Sequence, residues 1–541
     1  MKRILIALLI TVLSIDVASS QEQPKLVVGI VVDQMKQEYL WRFYNDFDEG
    51  GFKRMVEAGF MAKNAHYNYA TTSTGPGHAS IYTGTTPSVH GIVNNSWYSR
   101  KLDRSVYCAE DMKVGNLGGS EKSGKISPVN LYSSTITDEL KWSTQKRGKV
   151  IAMSIKDRGS ALPGGHLSDG SYWFDSKTGE FMTSTYYMNE LPAWIEKFNQ
   201  RELPKEYLSK TWDFFKSQED YTESGDDDSP YERGFRGKDT PTLPYELANL
   251  YEQNGGLGMI SSTPWGNTLL VDLAITALDA EQLGQDDTPD FLAVSFSSTD
   301  YIGHNFGPQS KEIQDTYIRL DRELARLFDE LDQQVGQGEY VVFLSADHGV
   351  AENSTRMKDS GFQADNMQSR PFNAYIQATV SQKFGSEKWF KRAYGTDLFL
   401  DHKLILEKGI DLYDIQLYTA QAAMQYKGVY LAMTGTDLVR NSQTEQLRSL
   451  MQNAYHPKES GDVKLILDPA WQTGGDKGTG HGNAWSYDTH IPILFYGWGI
   501  EHGSSIRDTH ITDIAPTISM LLNIRLTSGN TGQPIHEALK K

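Results

Sequence analysis

The chain has 541 residues, a formal net charge of −17 and a single cysteine, Cys108. An intramolecular disulfide is therefore excluded, and the charge argues against nucleic acid as the main partner, because phosphate backbones are held by basic surface. The length suits one large catalytic domain with insertions, or two to three ordinary domains.

Lys2 and Arg3 precede an apolar run, Ile4–Leu13, and then the small residues Ala18, Ser19 and Ser20. This is the pattern of an export signal cleaved before Gln21. The run is shorter than the ~20 apolar residues a bilayer span requires, and Asp16 follows it closely. No later segment is long and apolar enough to span a membrane. The mature chain, 21–541, is expected to be a soluble protein of the periplasm or the exterior.

Several apolar runs then end in polar residues able to do chemistry. Lys25–Val32 (KLVVGIVV) closes on Asp33, and Lys149–Ile155 leads to Lys156. Phe291–Phe296 leads through Ser297, Ser298 and Thr299 to Asp300, and Tyr340–Leu344 leads to Asp347 and His348. Ile491–Tyr496 is one more buried-strand candidate. Continuous rather than alternating apolar runs predict strands covered on both faces, the parallel-sheet case.

Helical patterns lie between them. From Lys311 to about Gln334, Ile313, Tyr317, Leu320, Leu324, Leu327, Phe328 and Leu331 fall on one stripe with charges opposite. Ile514–Leu522 follows Asp513 as a capped helix with Pro516 in its first turn. The expected architecture is an α/β sandwich, a mostly parallel central sheet with helices on both faces. Ligands of such sheets gather beyond the carboxyl ends of the strands, where the polar residues sit. Two stretches, about 167–266 and 355–480, break the pattern and read as insertions over the active face. Asp226, Asp227 and Asp228 read as a solvated acidic loop rather than a calcium site.

Three carboxylates and three imidazoles stand at element ends: Asp33, Asp300 and His304 (STDYIGH), Asp347 and His348 (SADHG), and His481 (GTGHG). Mixed oxygen and nitrogen donors suit zinc. Adjacent strand residues point to opposite faces, so Asp347 and His348 can share a metal only if the backbone turns there, and Gly349 is placed to permit it. His166 and His490 are neighbours of these motifs in sequence and are candidates to support them. Thr74-Gly75-Pro76-Gly77-His78 reads as a helix start, where free N–H groups and the helix dipole favour an anion. Alone, Thr74 reads more readily as a simple helix cap.

Taken together, D…T-x-P-G-H…G-x-x-x-N…D-x-x-x-H…D-H…G-H-G in this order resembles the alkaline phosphatase superfamily. Within it the chain is most similar to the phosphate-irrepressible alkaline phosphatases (the PafA type) and, more distantly, to the nucleotide pyrophosphatase/phosphodiesterases. The resemblance runs from Val27 to about Pro534. It implies two Zn²⁺ per chain, one held by Asp33, Asp347 and His348 and touching the Thr74 oxygen, the other by Asp300, His304 and His481. It implies further that Thr74 is a transiently phosphorylated nucleophile, that Asn95 (HGIVNNSW) contacts a phosphoryl oxygen, and that Lys156 and Arg158 (SIKDRG) bind the extra charge of a phosphomonoester. Cys108 lies in VYCAED rather than in a sulfatase motif. The implied partners are small phosphate monoesters; the rival is a diesterase with the same metals.

Overall fold

The computed structural model describes residues 23–540; the expected export signal lies outside them. Ten strands form the main sheet: β1 (Leu26–Val32), β2 (Phe60–Ala62), β3 (Asn116–Leu117), β4 (Val150–Ser154), β5 (Gly170–Asp175), β6 (Glu180–Ser184), β7 (Asp290–Phe296), β8 (Tyr340–Ser345), β9 (Ile493–Gly497) and β10 (Gly503–Ser505). Their spatial order is β10-β2-β9-β8-β1-β7-β4-β5-β6-β3. The central strands β8, β1, β7, β4 and β5 are parallel, and β9 and β6 flank them antiparallel. Every residue of β1, β4, β7 and β8 is buried, which is why these strands read as unbroken apolar runs.

Five helices position the site: α1 (Thr74–Thr83), α2 (Asp157–Gly164), α3 (Ser298–Phe306), α4 (Lys311–Leu331) and α5 (Ile514–Leu521). Side chains alternate across β1. Gly29 faces α1, where a Cβ would lie 2.5 Å from the Tyr82 hydroxyl and 2.6 Å from Phe343. Leu26 points to the other layer, beside Gly284 and close to Val335. On the first face α1 packs against α2 and α5; on the second, α4 packs against α3 and the helix Trp265–Ala280.

The α4 stripe is buried throughout as expected, and Ser310 caps the helix by accepting the Ile313 N–H at 3.2 Å. The cap expected of Asp513 takes a different form. Its carboxylate accepts the N–H groups of His510 and Gln533 instead of one inside α5, so it closes the turn before the helix. The stretch from 167 begins with β5 and β6, inside the main sheet. Within 355–480, four antiparallel strands (Phe390–Tyr394, Asp397–Leu400, Val463–Leu467, Val429–Thr434, in spatial order) carry an apolar cluster of their own around Trp389, Ile376 and Leu465. Phe399 leaves that cluster and packs with Trp97, Tyr98, Cys108 and Leu162, behind the Asn95 loop.

Candidate active site

Strand order brings the acids together. β1 lies between β8 and β7 in parallel, with Val32 opposite Phe296 and Val31 opposite Ser345. The chain therefore leaves all three strands on one edge, at Asp33, at Asp300 in the first turn of α3, and at Asp347 and His348. The Asp33 N–H bonds the Phe296 carbonyl at 2.9 Å, and the Thr299 hydroxyl bonds the Asp33 carbonyl. β8 ends at Ser345, so Asp347 and His348 lie in the turn beyond it. Gly349 serves there for a different reason than the expected one. Its backbone is not left-handed, but a Cβ would strike the Tyr487 carbonyl; the residue allows close approach of a neighbouring loop.

Asp300, His304 and His481 offer ligand atoms within 4.8 Å of one another, as do Asp33, Asp300 and His348. Asp347 Oδ2 lies 3.6 Å from His348 Nε2, and Asp33 Oδ1 lies 3.5 Å from the same nitrogen. The six residues predicted from sequence thus converge, with Asp300 near both halves. Each of the three imidazoles turns Nδ1 onto a backbone carbonyl: His304 to Thr479 at 2.8 Å, His348 to Gly349 at 2.9 Å, and His481 to Thr72 at 2.7 Å. That contact places the hydrogen on Nδ1 and leaves Nε2 unprotonated, its lone pair facing the cluster, the arrangement of metal-binding histidines. Asp33 Oδ1, Asp347 Oδ2 and His348 Nε2 are buried without a hydrogen-bond partner. Buried polar atoms left unpaired in this way call for an ion or water, and the carboxylate and imidazole donors here fit metal binding.

Burial drives His348 down to about 3 and, with His348 as neighbour, lowers His481 as well; both rings are neutral, as ligation requires. Burial and then Asp347 push the Asp33 carboxyl up. Burial also opposes ionisation of Asp300, but His304 and Lys156 more than offset it and hold that carboxyl low. Lys156 bonds both acids, so their opposite shifts reflect their other neighbours.

Thr74 is the first residue of α1, with Ser73 in the capping position. The Thr74 hydroxyl is therefore not a cap. It receives a hydrogen bond from Arg158 Nη2 at 3.2 Å, and Arg158 Nη1 donates to the Tyr107 hydroxyl at 3.2 Å. Asn95 Oδ1 accepts the Gly75 N–H at 2.7 Å, which holds the Asn95 side chain at the residue following Thr74. Asn94 instead accepts the Asn95 N–H at 2.7 Å. Gly75 is required by close approach, since a Cβ would lie 3.0 Å from Cys108 Sγ and 3.1 Å from Asn95 Oδ1. Lys156, buried beyond the end of β4, bonds Asp33 Oδ2 at 2.7 Å and Asp300 Oδ2.

His166 and His490 do not join the site. His166 pairs with Asp138, and His490 stacks on His66 and meets the Lys63 carbonyl. Three residues that sequence reasoning missed do. Gln34 donates its N–H to Asp347 Oδ1 at 3.1 Å and its side-chain amide to Asp300 Oδ1 at 2.6 Å. Its φ of 67° is the structural signature of the role, and nothing local encodes it. Tyr107 links Arg158 to Asp157. Asp488 holds the His481 loop through the N–H groups of Gly482 at 2.9 Å and Asn483 at 2.7 Å.

An α/β sandwich whose strand ends carry a carboxylate–imidazole cluster beside a threonine at a helix N-terminus defines the alkaline phosphatase superfamily. Within it, a family model described as type I phosphodiesterase / nucleotide pyrophosphatase matches residues 27–490, and the chain belongs to that family. It is 43% identical over 96% of its length to an alkaline phosphatase, PafA, of Elizabethkingia meningoseptica, covering 95% of that protein. It is 41% identical over 96% of its length to an alkaline phosphatase, PhoV, of Synechococcus elongatus, covering 93% of it. The crystal structure of wild-type PafA superposes with a TM-score of 0.92 at 42% identity, over 96% of this chain and 100% of that one. A PafA variant substituted at one threonine, one asparagine, one lysine and one arginine superposes equally well.

Proposed function

We propose that this chain hydrolyses small phosphate monoesters as a two-zinc alkaline phosphatase, with Thr74 as a nucleophile that is transiently phosphorylated. The observation that carries the monoesterase reading is the pair of cations at the site: Arg158 on the Thr74 hydroxyl, and Lys156 on the cluster acids Asp33 and Asp300. A monoester dianion carries one more unbridged charged oxygen than a diester. Arg158 offers it a planar fork of donors, and Lys156 a mobile point charge. Lys156 must exchange Asp33 or Asp300 for that oxygen, which its flexible stem allows.

The substituted positions of the PafA variant match Thr74, Asn95, Lys156 and Arg158 by residue type, which supports the same four roles here. Asp33, Asp347 and His348 would hold one zinc, and Asp300, His304 and His481 the other. Bound zinc supplies Lewis-acid charge, which favours the ionised Thr74 hydroxyl and stabilises the departing oxygen. Arg158 and the Asn95 amide orient the phosphoryl group for in-line attack. The Thr74 oxygen then forms its bond to phosphorus as the ester oxygen leaves with the bonding pair. Water cleaves the phosphothreonine and returns the free hydroxyl. Phosphoryl transfer asks mainly for this positioning and charge neutralisation.

The mature chain, 21–541, forms one catalytic domain with the segments of about 167–266 and 355–480 as its insertions, the first of them starting only after the strands Gly170–Asp175 and Glu180–Ser184 of the main sheet. Export rests on the first twenty residues; among the described residues, no helix is long and apolar enough to cross a membrane. Broad phosphate scavenging is the natural role of such an enzyme. The deciding experiment compares kcat/KM for an aryl phosphate with that for the corresponding diester. Equal or faster diester turnover replaces this reading with a phosphodiesterase.

A further inference from the structure

His78 stands one turn after Thr74 in α1, is 0% exposed and belongs to neither donor group of the cluster. Its Nδ1 lies 2.9 Å from the Thr74 carbonyl oxygen, and its Nε2 lies 2.8 Å from the Ser295 hydroxyl. A carbonyl only accepts, so Nδ1 carries the hydrogen and Nε2 accepts the Ser295 O–H. Burial pushes the imidazole down to about 4, which keeps the ring neutral and in that one-donor, one-acceptor form. Both nitrogens are paired, as a buried polar ring requires.

Ser295 belongs to β7, opposite Val31 of β1 and Ser154 of β4, so the centre of the sheet sets its position. The first turn of α1 is confined on its other sides as well. A Cβ on Gly77 would strike the Asp347 carbonyl, and Asp347 Oδ2 lies 3.5 Å from His78 Nδ1. A Cβ on Gly159, next to Arg158 in α2, would lie 3.0 Å from the Ser295 hydroxyl. Ser73, in the capping position, makes no side-chain cap. The start of α1 is held instead by Asn95 on the Gly75 N–H and by His78 on the Thr74 carbonyl.

We propose that His78 is a positioning residue for phosphoryl transfer: bonded to Ser295, it ties the Thr74 backbone to the sheet and so fixes where the Thr74 oxygen points. This role rests on Thr74 being the nucleophile. His78 acts through Thr74, and its own ring exchanges no proton. An apolar side chain fills the same space but leaves the Thr74 carbonyl untied from β7. A shift of about 1 Å at the reacting atoms can cost about 10²-fold in rate.

The test measures kcat and KM for an aryl phosphate in zinc-saturated His78→Leu, His78→Gln, Ser295→Ala and the double variant His78→Leu/Ser295→Ala, normalised to folded, zinc-loaded chain. His78→Leu is expected to lower kcat about 10²-fold, with KM nearly unchanged and zinc content equal to the parent's. An equal fall in kcat and kcat/KM is the mark of a contact that serves the transition state alone. His78→Gln is expected to recover part of the rate, because an amide can donate to the Thr74 carbonyl and accept the Ser295 hydroxyl. Ser295→Ala is expected to lower kcat less, and to add little in His78→Leu, because both act along one path. An unchanged kcat in His78→Leu, a loss that follows zinc content, or full additivity with Ser295→Ala overturns the role. Thr74→Ala keeps the two failures apart. Turnover surviving there ends the nucleophile assignment itself, whereas an inactive Thr74→Ala beside an unimpaired His78→Leu removes only His78. Should His78→Leu not fold, Ser295→Ala makes the same comparison of kcat with KM, an unchanged kcat overturning the role in its turn.

Discussion

Arg158 spans two partners with one guanidinium: Nη2 donates to the Thr74 hydroxyl and Nη1 to the Tyr107 hydroxyl, each at 3.2 Å. Tyr107 is held in turn by Asp157, so the fork is fixed before substrate arrives. Arg158→Ala is expected to lower kcat/KM for an aryl phosphate by about 10²–10³-fold, the scale of removing a preorganised charge-stabilising donor. Diester turnover should fall much less, because the diester lacks the oxygen that Arg158 neutralises. Parallel kinetics on the two substrates check this, and equal losses on both would remove Arg158 from specificity. Thr74→Ala should abolish turnover while leaving the bound metal in place.

Metal removal gives a second test. Three histidines bonded to carbonyls through Nδ1 and three buried oxygen and nitrogen atoms without partners form a donor set for borderline metals. A chelator is expected to abolish aryl phosphate hydrolysis, with zinc restoring it and magnesium failing to. Elemental analysis should find two zinc ions per chain and a loss of about one in His481→Ala, since a site of three protein ligands does not survive the loss of one. Full activity in zinc-free protein would end the two-zinc reading.

Asp488 ties the two halves of the cluster together. Its carboxylate receives Gly482 and Asn483 beside His481, and its backbone carbonyl receives the Gly349 N–H at 2.8 Å beside His348. Asp488→Ala leaves those side-chain-bonded N–H groups without an acceptor and loosens the His481 loop. The zinc concentration needed for half-maximal activity should rise about 10–100-fold, the usual effect of losing a group that orients a ligand. Activity at saturating zinc should largely return, which separates positioning from chemistry. An unchanged zinc midpoint would make Asp488 merely structural.

How much of this could be read in advance follows from where the information sits. Asp33, Asp300 and the Asp347–His348 pair were visible because each follows an unbroken apolar run, and burial on both faces produces that run. Thr74 and His481 carry no such mark; one resembles a cap, the other a loop histidine, and only their joint order with the acids distinguished them. The direction of β9 was hidden because an apolar run reads the same parallel or antiparallel. The bonds from Lys156 to Asp33 and Asp300 depend on β4 lying beside β7 and β7 beside β1, which no local pattern encodes. Gln34, Tyr107 and Asp488 act through partners distant in sequence. Composition made the exposed Asp226 and Asp228 conspicuous and left the buried pair of Glu232 and Glu312 unnoticed.

That buried pair sets a pH dependence. Burial, then Glu312, raises the Glu232 carboxyl, and burial raises that of Glu312. Asp227, Asp228 and Asp315 add negative charge around them, Lys238, Lys311 and Arg356 add positive charge, and the Tyr245 hydroxyl donates to Glu312. With folded values raised, the native state binds more protons than the unfolded chain, whose glutamates titrate near about 4.3. Stability then falls as the pH rises above that value and through the raised values. Melting temperatures of the zinc-loaded protein should therefore fall from about pH 6 to about pH 9, and Glu232→Gln should flatten that slope. A melting temperature that holds constant over this interval, or falls equally in Glu232→Gln, would mean that these carboxylates do not set the pH dependence.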